Sequence, residues 1–569
     1  MVIEGGLTLI AIAAAFCLPR AGSGFFHRIE GLFRGLARRK RMAVAAVGLA
    51  AFFGRLAILP WIPSPRPFVP DDFSYLLAAN TFAAGRLTNP TPVMWTHLES
   101  LHIDMKPTYM SMYFPAQGLA LAAGKVVLGN PWLGVLCTTS LMCAGICWML
   151  QVWLPPGWAL LGGLLAVLRI GLFSYWINTY SGGSIAALGG ALVLGALPRL
   201  TKGARFFDGL LMSAGVILLA NSRPYEGLLL CVPVAAMLGR WILSGSRRPM
   251  LALLARRAAI PVALMLAAGV SMGYYNHRAF GSWRTEPYQV NRETYAMAPY
   301  FVWQSKRPEP AYRHKEMRAF YHRNELDDFN KVHSISGFIP QTFLKFSRGL
   351  LFFSGVVFLP LLFMLHRVIL DRRIRFLLIG VGILIAGISI EIFLIPHYLA
   401  PFTSAFYAIG LQAMRHLRVW RPAGQPVGLA MVRLLVAVCL LLGVVRLYAL
   451  PLRIAQNKWP ASEWTSEWYG PGPFGARRAN IEAALDRLPG KQLAIVRYSA
   501  GHTPIEEWVY NAPDPDTAKI VWARQMSPAD DAELLRYYRD RTVWLVQPDS
   551  RPVTVTPFPM RAEEADARP

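Results

Sequence analysis

Long apolar runs alternate with short basic segments along most of the chain. A helix needs about 20 apolar residues to cross a bilayer core of about 30 Å. By this criterion the pattern predicts a polytopic α-helical membrane protein with eleven or twelve transmembrane helices. The predicted spans are 42–61, 131–153, 158–177, 184–198, 207–221, 225–241, 258–277, 348–365, 376–395, 400–414 and 428–449, with 2–19 as an uncleaved twelfth.

The composition supports a membrane protein. Of the 569 residues, 54% are hydrophobic and only 16% are charged, whereas a soluble domain usually has about 25% charged residues. The formal net charge of +25 would suit a nucleic-acid partner, but most basic residues lie in short loops beside the apolar runs. Such loops tend to remain cytoplasmic, so the charge indicates topology, with membrane lipids and no nucleic acid as partners. These basic loops are 20–41, 199–206, 240–257, 366–375 and 415–427.

This orientation divides the chain into three predicted domains. Residues 1–41 form an N-terminal helix and a basic cytoplasmic segment, and 42–449 form the transmembrane module. Two long loops of that module, the first loop (62–130) and the second loop (278–347), face outward. Residues 450–569 follow on the same outer side and form the C-terminal domain.

The C-terminal domain alternates strand-like and helical stretches. Its short apolar runs are rich in β-branched and aromatic residues, which is typical of strands. We therefore predict a small soluble α/β domain, with Ser527 as the N-cap of its second helix. The predicted strands are 492–498, 519–523 and 542–546, and the predicted helices are 476–488 and 528–540.

The first loop contains an acidic pair and a predicted interfacial helix. Asp71 and Asp72 follow Pro70 at the expected start of a helix. The stretch 111–129 is apolar but carries Lys125, so we interpret it as a helix lying at the membrane surface. The two acids either cap an interfacial helix or act as a general base toward a hydroxyl acceptor.

Polar residues also occur at three other predicted turns near the outer boundary of the membrane. Charge is costly there and is usually paired or functional. For the charged residues at this boundary, an ion pair such as Arg169 with Glu391 is the structural alternative to catalysis. The polar turn residues include Asn178, Tyr180, Arg223, Glu226, His397 and Tyr398.

The order of these features resembles the glycosyltransferase C superfamily, and most of all its bacterial members similar to lipid A aminoarabinose transferases and protein O-mannosyltransferases. The resemblance covers roughly 62–410 and rests on Pro70–Tyr75, Tyr113–Gly118 and Pro396–Pro401. Many relatives have Asp-Glu where this chain has two aspartates. A second outer carboxylate of some relatives is replaced by Asn, Tyr and Ser in the 178–183 turn.

The resemblance implies inverting transfer of a sugar from a polyprenyl-phosphate-linked donor to a lipid, glycan or protein acceptor. Transfer would occur on the outer face of a bacterial inner membrane, with the C-terminal domain in the periplasm. Asp71 matches the family's base position, and Asp72 would orient it. No cofactor and no metal site are expected, although a divalent metal stays open because of the replaced carboxylate.

A phosphate leaving group needs cations to hold its charge. The candidates for this role are Arg223, Lys106, Arg284, Arg292 and His397. The substrate-binding candidates are Tyr75, Asn178, Tyr180, Glu226 and Tyr398.

Two other function classes compete with the transferase. A transporter or flippase of lipid-linked sugars would move an intact substrate across the membrane. The sequence shows no internal repeat, which argues against the repeat architecture of many transporters. A non-catalytic scaffold whose C-terminal domain binds a partner is the third hypothesis.

Overall fold

The computed structural model describes residues 2–203, 205–244, 251–449 and 473–559. Residues 1, 204, 245–250, 450–472 and 560–569 lie outside the described residues; they include parts of two predicted basic loops and of the predicted C-terminal domain. The structure is predominantly helical, at 68%.

The N-terminal part contains two helices, a third ending at the first loop, and a small sheet. The first loop includes the predicted helix that begins at Pro70, and its strands pair antiparallel in the order β1-β3-β2. The elements are α1 Val2–Cys17, α2 Ser23–Arg38, α3 Lys40–Ala57, α4 Pro70–Ala83, β1 Asn89–Pro90, α5 Trp95–Leu98, β2 Ile103–Asp104, β3 Thr108–Ser111 and α6 Pro115–Leu128.

The central part is a bundle of helices interrupted by the second loop. Up to the second loop the helices are α7 Pro131–Trp153, α8 Pro156–Ala166, a π-helical turn Val167–Gly171, α9 Tyr175–Asn178, α10 Ser184–Gly203, α11 Phe206–Ala220, α12 Pro224–Leu243 and α13 Leu251–Phe280. From the second loop onward they are α14 Pro287–Tyr295, α15 Lys315–Ala319, a π-helical segment Phe320–Leu326, α16 Asp327–Val332, α17 Ile335–Ser354, a 3₁₀ segment Val356–Met364, α18 Leu365–Leu370, α19 Arg375–Ser389, a 3₁₀ segment Pro396–Phe402, α20 Thr403–Arg418, a 3₁₀ turn Pro422–Gly424 and α21 Val427–Ala449.

Within the described residues, five helices are long and apolar enough to cross a membrane: α7, α10, α12, α13 and α21. They confirm helices at five of the predicted spans. The bent pair that begins with α17 makes a sixth if it counts as one span. The other predicted spans fall on helices that do not meet this criterion. The coarse prediction of a helical multi-pass membrane protein therefore holds, and eleven or twelve is not established as the number of crossings.

The predicted span 348–365 is wrong as a continuous helix. α17 ends at Ser354, and the chain bends by 104° before it continues as Val356–Leu370. The break lies at Gly355, whose φ of +64° is a conformation that glycine adopts at little cost. A side chain at this position would also have to share space with Glu4 and Arg169, because a Cβ would lie 2.8 Å from the Arg169 Nη1 atom.

Arg169 pairs with Glu4, so the suggested pair of Arg169 with Glu391 is wrong. Its Nη1 atom lies 3.4 Å from Glu4 Oε1, and its Nε donates to the Phe352 carbonyl at 2.8 Å. The Phe352 carbonyl is available because it lies in the last turn of α17, where backbone carbonyls have no N–H partner within the helix. This buried pair fastens α1 to the end of α17.

The described part of the C-terminal domain has the predicted α/β composition. Its elements are α22 Pro473–Asp486, β4 Lys491–Val496, a 3₁₀ turn Pro504–Glu506, β5 Ile520–Arg524, α23 Pro528–Tyr537, β6 Arg541–Gln547 and β7 Thr554–Pro557. The sheet order is β5-β4-β6-β7, with the first three strands parallel and β7 antiparallel. The three predicted strands, both helices and the Ser527 cap are confirmed, whereas β7 was not predicted.

The C-terminal domain packs directly against the first loop. Phe73 of α4 stacks on Tyr510, with ring centroids 4.1 Å apart and planes within 5° of parallel. Buried residues of the first loop and of the sheet share one hydrophobic cluster. The sheet of the C-terminal domain therefore supports the helix that carries Asp71 and Asp72.

A buried ion network joins the C-terminal domain to both loops. Arg524 donates to Glu507 at 2.6 Å and to Glu316 of the second loop at 3.2 Å. His97 of the first loop has its Nδ1 atom 2.9 Å from the Arg524 carbonyl and its Nε2 atom 3.2 Å from that of Asp530. Charges buried this deeply need such partners, because each is expensive to remove from water.

Candidate functional site

Asp71 is held by two side chains of the first loop. The His102 Nδ1 atom lies 2.7 Å from Asp71 Oδ1, and the Tyr113 hydroxyl donates to the same oxygen at 2.7 Å. Burial raises the pKa of this carboxyl, but the hydrogen bonds outweigh burial and lower the pKa to about 2. Asp71 is therefore ionised at neutral pH, and its side chain is 22% exposed.

Asp72 has different partners and is completely buried. Its Oδ1 atom accepts the Tyr180 backbone N–H at 2.8 Å, and Oδ2 accepts the Phe68 N–H at 3.4 Å. Burial, reinforced by the charge of Asp71, raises the pKa of Asp72 to about 7 despite these hydrogen bonds. Asp72 thus ties α4 to the 178–183 turn, while Asp71 remains accessible.

The predicted substrate residues Asn178 and Tyr180 lie behind this tie. Asn178 Oδ1 accepts a hydrogen bond from the fully buried Arg55 at 2.9 Å, and the Tyr180 hydroxyl donates to the Pro65 carbonyl at 3.1 Å. Sequence analysis did not identify Arg55, although a lone arginine near the end of an apolar run is a recognisable signal. These residues support the position of Asp72.

Arg223 forms the cationic side of the site. It precedes α12, and its guanidinium lies 4.2 Å above the centre of the Tyr398 ring and 3.8 Å from Glu226 Oε1. Glu226 is 3% exposed, so the pair is largely removed from solvent. The planar guanidinium is suited to bind phosphate oxygens. The structure therefore brings three of the predicted residues together.

His397 is influenced electrostatically by both Arg223 and Asp71. Its Nδ1 atom lies 2.9 Å from the Tyr175 hydroxyl. Burial and the positive charge of Arg223 lower the pKa of His397 well below its usual value, whereas Asp71 raises it. His397 is consequently neutral at neutral pH and offers a hydrogen bond but no charge. Since both Arg223 and Asp71 act on this imidazole, the three residues share one electrostatic environment.

The other predicted phosphate-binding residues are placed differently. Lys106 lies 4.2 Å above the Trp95 ring, and Arg284 is exposed between α13 and α14. Arg292 is buried and engages Glu325 at 2.6 Å. In the described part of the chain, none of the three makes a hydrogen bond or ion pair with the residues around Asp71. Arg223 is therefore the strongest candidate for a donor phosphate.

A row of tyrosines lines the space beside Asp71. Tyr75 stacks on Tyr113 with ring centroids 4.5 Å apart, and Tyr113 lies 6.3 Å from Tyr288. Tyr288 in turn lies 5.2 Å from Tyr300. Aromatic faces with a polar hydroxyl suit sugar rings, which present both C–H groups and hydroxyls. The predicted role of Tyr75 as a substrate residue is compatible with this position.

A large apolar cavity lies among α17 to α20. Its volume is about 1090 Å³, and it reaches the 3₁₀ segment that carries His397 and Tyr398, because Leu399 is one of its lining residues. Gly382 and Gly410 leave open space at its walls, and Arg375 lies at its lining beside α19. Its other lining residues include Phe346, Leu350, Phe353, Leu378, Phe406 and Met414.

Among the described residues, no group of three or more His, Cys, Asp or Glu is placed to bind a metal ion. Beside Arg223 two carboxylates, Glu226 and Glu391, are buried. Among the residues that the structure describes, the Glu391 Oε2 atom has no hydrogen-bond partner.

Solved structures similar to this chain include ArnT from Cupriavidus metallidurans in the apo state, at 15% identity and a TM-score of 0.45, covering 88% of this chain and 93% of that one. The Archaeoglobus fulgidus oligosaccharyltransferase tethered with an acceptor peptide matches at 12% identity and a TM-score of 0.43, covering 89% and 68%. AglB from the same organism, in complex with an inhibitory peptide and a dolichol-phosphate, matches at 11% and 0.44, covering 90% and 70%.

ArnT and AglB are members of the glycosyltransferase C superfamily, which the sequence resembles. No family model and no curated protein matches the chain. At such identities and TM-scores, these likenesses do not establish what the chain does.

Proposed function

We propose that this protein is an inverting glycosyltransferase that moves a sugar from a polyprenyl-phosphate-linked donor to a hydroxyl acceptor. The observation that carries the proposal is the arrangement of three parts: an ionised Asp71 bound to His102, an Arg223 whose side chain is 20% exposed, and an apolar cavity that reaches the segment carrying His397 and Tyr398. The cavity suits the prenyl chain of the donor, Arg223 suits its phosphate, and Asp71 with His102 suits the hydroxyl of the acceptor.

The donor lies along the cavity in this proposal. A prenyl chain is apolar and fits a lining made mostly of Leu, Ile, Val and Phe side chains. Its phosphate lies at Arg223, beside Tyr398, where a guanidinium stabilises the charge that develops as the phosphate leaves. The phosphate needs no general acid, because it is already a good leaving group.

The acceptor approaches from the side of Asp71 and His102. Its hydroxyl loses a proton to this pair as the oxygen attacks the anomeric carbon. A single displacement of this kind inverts the configuration at that carbon. The acceptor class is a lipid, glycan or protein, and the basic loops favour a site on the outer face of a bacterial inner membrane, with the C-terminal domain in the periplasm.

The test uses the purified full chain in lipid nanodiscs. Undecaprenyl-phosphate sugars carrying a radiolabel in the sugar are supplied one at a time, together with a bacterial membrane extract as acceptor. We expect the label to move from the polyprenyl phosphate to the extract. Asp71→Asn should abolish this transfer, whereas the control Asp328→Asn, at an exposed position of α16, should not.

Two outcomes would overturn the proposal. Normal transfer by Asp71→Asn would remove the carboxylate from the mechanism. Movement of the intact labelled donor across sealed liposomes, without a new glycosidic bond, would instead identify a flippase.

A further inference from the structure

His102 occupies a position that the sequence did not single out, and its geometry specifies which ring nitrogen faces Asp71. The Nδ1 atom lies 2.7 Å from Asp71 Oδ1. An ionised carboxylate can only accept, so Nδ1 carries the hydrogen. In a neutral imidazole the other nitrogen, Nε2, then bears a lone pair and can accept a proton.

The Nε2 atom is open. Among the described residues it makes no hydrogen bond, and the His102 side chain is 15% exposed. The ring is bounded by Phe320, which meets it edge-to-face at 5.4 Å, and by Tyr113 at 5.8 Å. These aromatic neighbours pack edge-to-face against the imidazole ring.

The backbone of His102 is held in an uncommon conformation. Its φ of +60° lies in the left-handed region, which few residues other than glycine adopt. The Ser74 hydroxyl donates to the His102 carbonyl at 2.7 Å. Such conformations cost on the order of 1–3 kcal/mol and concentrate at functional sites. The conformation keeps the imidazole directed at Asp71.

The C-terminal domain holds the residues just before His102. The Ser100 hydroxyl donates to the Val509 carbonyl, and the Tyr510 hydroxyl donates to the Leu101 carbonyl at 3.3 Å. The loop that carries His102 is thus fastened on one side to α4 and on the other to the C-terminal domain. This gives the C-terminal domain a role in the site.

Asp71 itself is a poor proton acceptor. Its Oδ1 atom already accepts two hydrogen bonds, one from His102 Nδ1 and one from the Tyr113 hydroxyl. General bases work best when their proton affinity matches the working pH, and imidazole is the side chain that most often meets this condition.

We infer that His102 Nε2 is the catalytic base and that Asp71 is its positioning partner, an assignment that rests on the proposed function. In the transfer step the acceptor oxygen forms a bond to the anomeric carbon, and the bond from that carbon to the phosphate oxygen breaks. The bonding electrons leave with the phosphate, and the hydroxyl proton moves to His102 Nε2. The resulting imidazolium is balanced by the Asp71 carboxylate.

The decisive variant is His102→Asn. Asparagine tolerates a positive φ and can place an N–H where Nδ1 lies, so it keeps the hydrogen bond to Asp71 but has no basic nitrogen. We expect at least a 100-fold loss of the transfer rate with an unchanged KM for the undecaprenyl-phosphate sugar. His333→Asn, at an exposed position of the second loop, is the matched control.

A second variant tests the base directly. His102→Gly suits the backbone conformation and opens a space in which added imidazole can replace the side chain. We expect imidazole to restore transfer in a concentration-dependent manner in this variant and not in Asp71→Asn.

The outcomes separate this inference from the proposed function. If the wild type transfers sugar and His102→Asn does so within threefold of its rate, His102 only positions Asp71 and the inference is wrong, while the function stands. Failure of His102→Gly to respond to imidazole, with His102→Asn active, leads to the same conclusion. If the wild type transfers no sugar, the proposed function itself fails.

Discussion

The two neighbouring aspartates should respond to pH in opposite directions. Asp72 is fully buried and has a pKa of about 7, whereas Asp71 is hydrogen-bonded by two side chains and has a pKa of about 2. Both start from an ordinary value of 3.8. The test makes the same substitution, Asp to Asn, at each of the two positions.

The magnitude follows from proton linkage. For Asp72 the folded pKa is raised, so its contribution to stability is fully present below pH 4 and is lost as the pH rises through 7. The shift of about three pKa units corresponds to roughly 4 kcal/mol, over half of it between pH 5 and 8. For Asp71 the folded pKa is lowered, so its contribution of about 2 kcal/mol is present above pH 4 and is lost as the pH falls through 2.

The free energy of unfolding of Asp72→Asn should therefore increase relative to wild type as the pH rises from 5 to 8. The asparagine retains the oxygen that accepts the Tyr180 N–H and carries no charge to bury. Asp71→Asn should be less stable than wild type at every pH in this range. The measurement is the unfolding temperature of the detergent-solubilised protein, followed by tryptophan fluorescence, with Asp328→Asn as the exposed control.

A difference between Asp72→Asn and wild type that stays constant from pH 5 to 8 would refute this reasoning. A loss of stability of Asp72→Asn relative to wild type as the pH rises would also refute it. Either result would mean that Asp72 is ionised in the folded protein at pH 5 and that its burial is offset by its hydrogen bonds.

Three further predictions concern the C-terminal domain and the donor. Arg524→Met leaves the buried Glu507 without its cation and leaves Glu316, among the described residues, with Lys315 alone, so it should cost about 3–5 kcal/mol, seen as faster proteolysis of the C-terminal domain; the exposed Arg536→Met should change little. Gly410→Phe meets no atom within 4 Å at its Cβ and fills the apolar cavity, so it should raise the KM for the donor about tenfold, unlike the exposed Gly269→Phe. Arg223→Gln should weaken binding of undecaprenyl phosphate about 10–100-fold, as measured by isothermal titration calorimetry in nanodiscs.

Each of these predictions has a contrary result. Equal proteolysis of Arg524→Met and Arg536→Met would show that the ion network does not hold the C-terminal domain. An unchanged KM in Gly410→Phe would place the prenyl chain elsewhere. Unaltered binding of undecaprenyl phosphate by Arg223→Gln would assign the phosphate to another cation.

The sequence by itself determined the features that depend on neighbouring residues. Long apolar runs predict helices, and five of the predicted spans are helices long enough to cross a membrane. Pro70 followed by two acids predicts the start of α4, because proline and negative charge both favour a helix N-terminus. The strands of the C-terminal domain follow in the same way from short β-branched and aromatic runs.

Only the tertiary structure decided which polar groups meet. His102 is 31 residues from Asp71, and Tyr113 is 42 residues away, so no local pattern joins them. The pairing of Arg169 with Glu4 and the break at Gly355 likewise depend on distant segments that approach each other closely.

The support that the C-terminal domain gives to α4 has the same origin, since Phe73 and Tyr510 stack on each other although most of the chain lies between them in sequence. Propensity and periodicity act over a few residues, whereas the identity of a base and its partner is set by how separate elements pack.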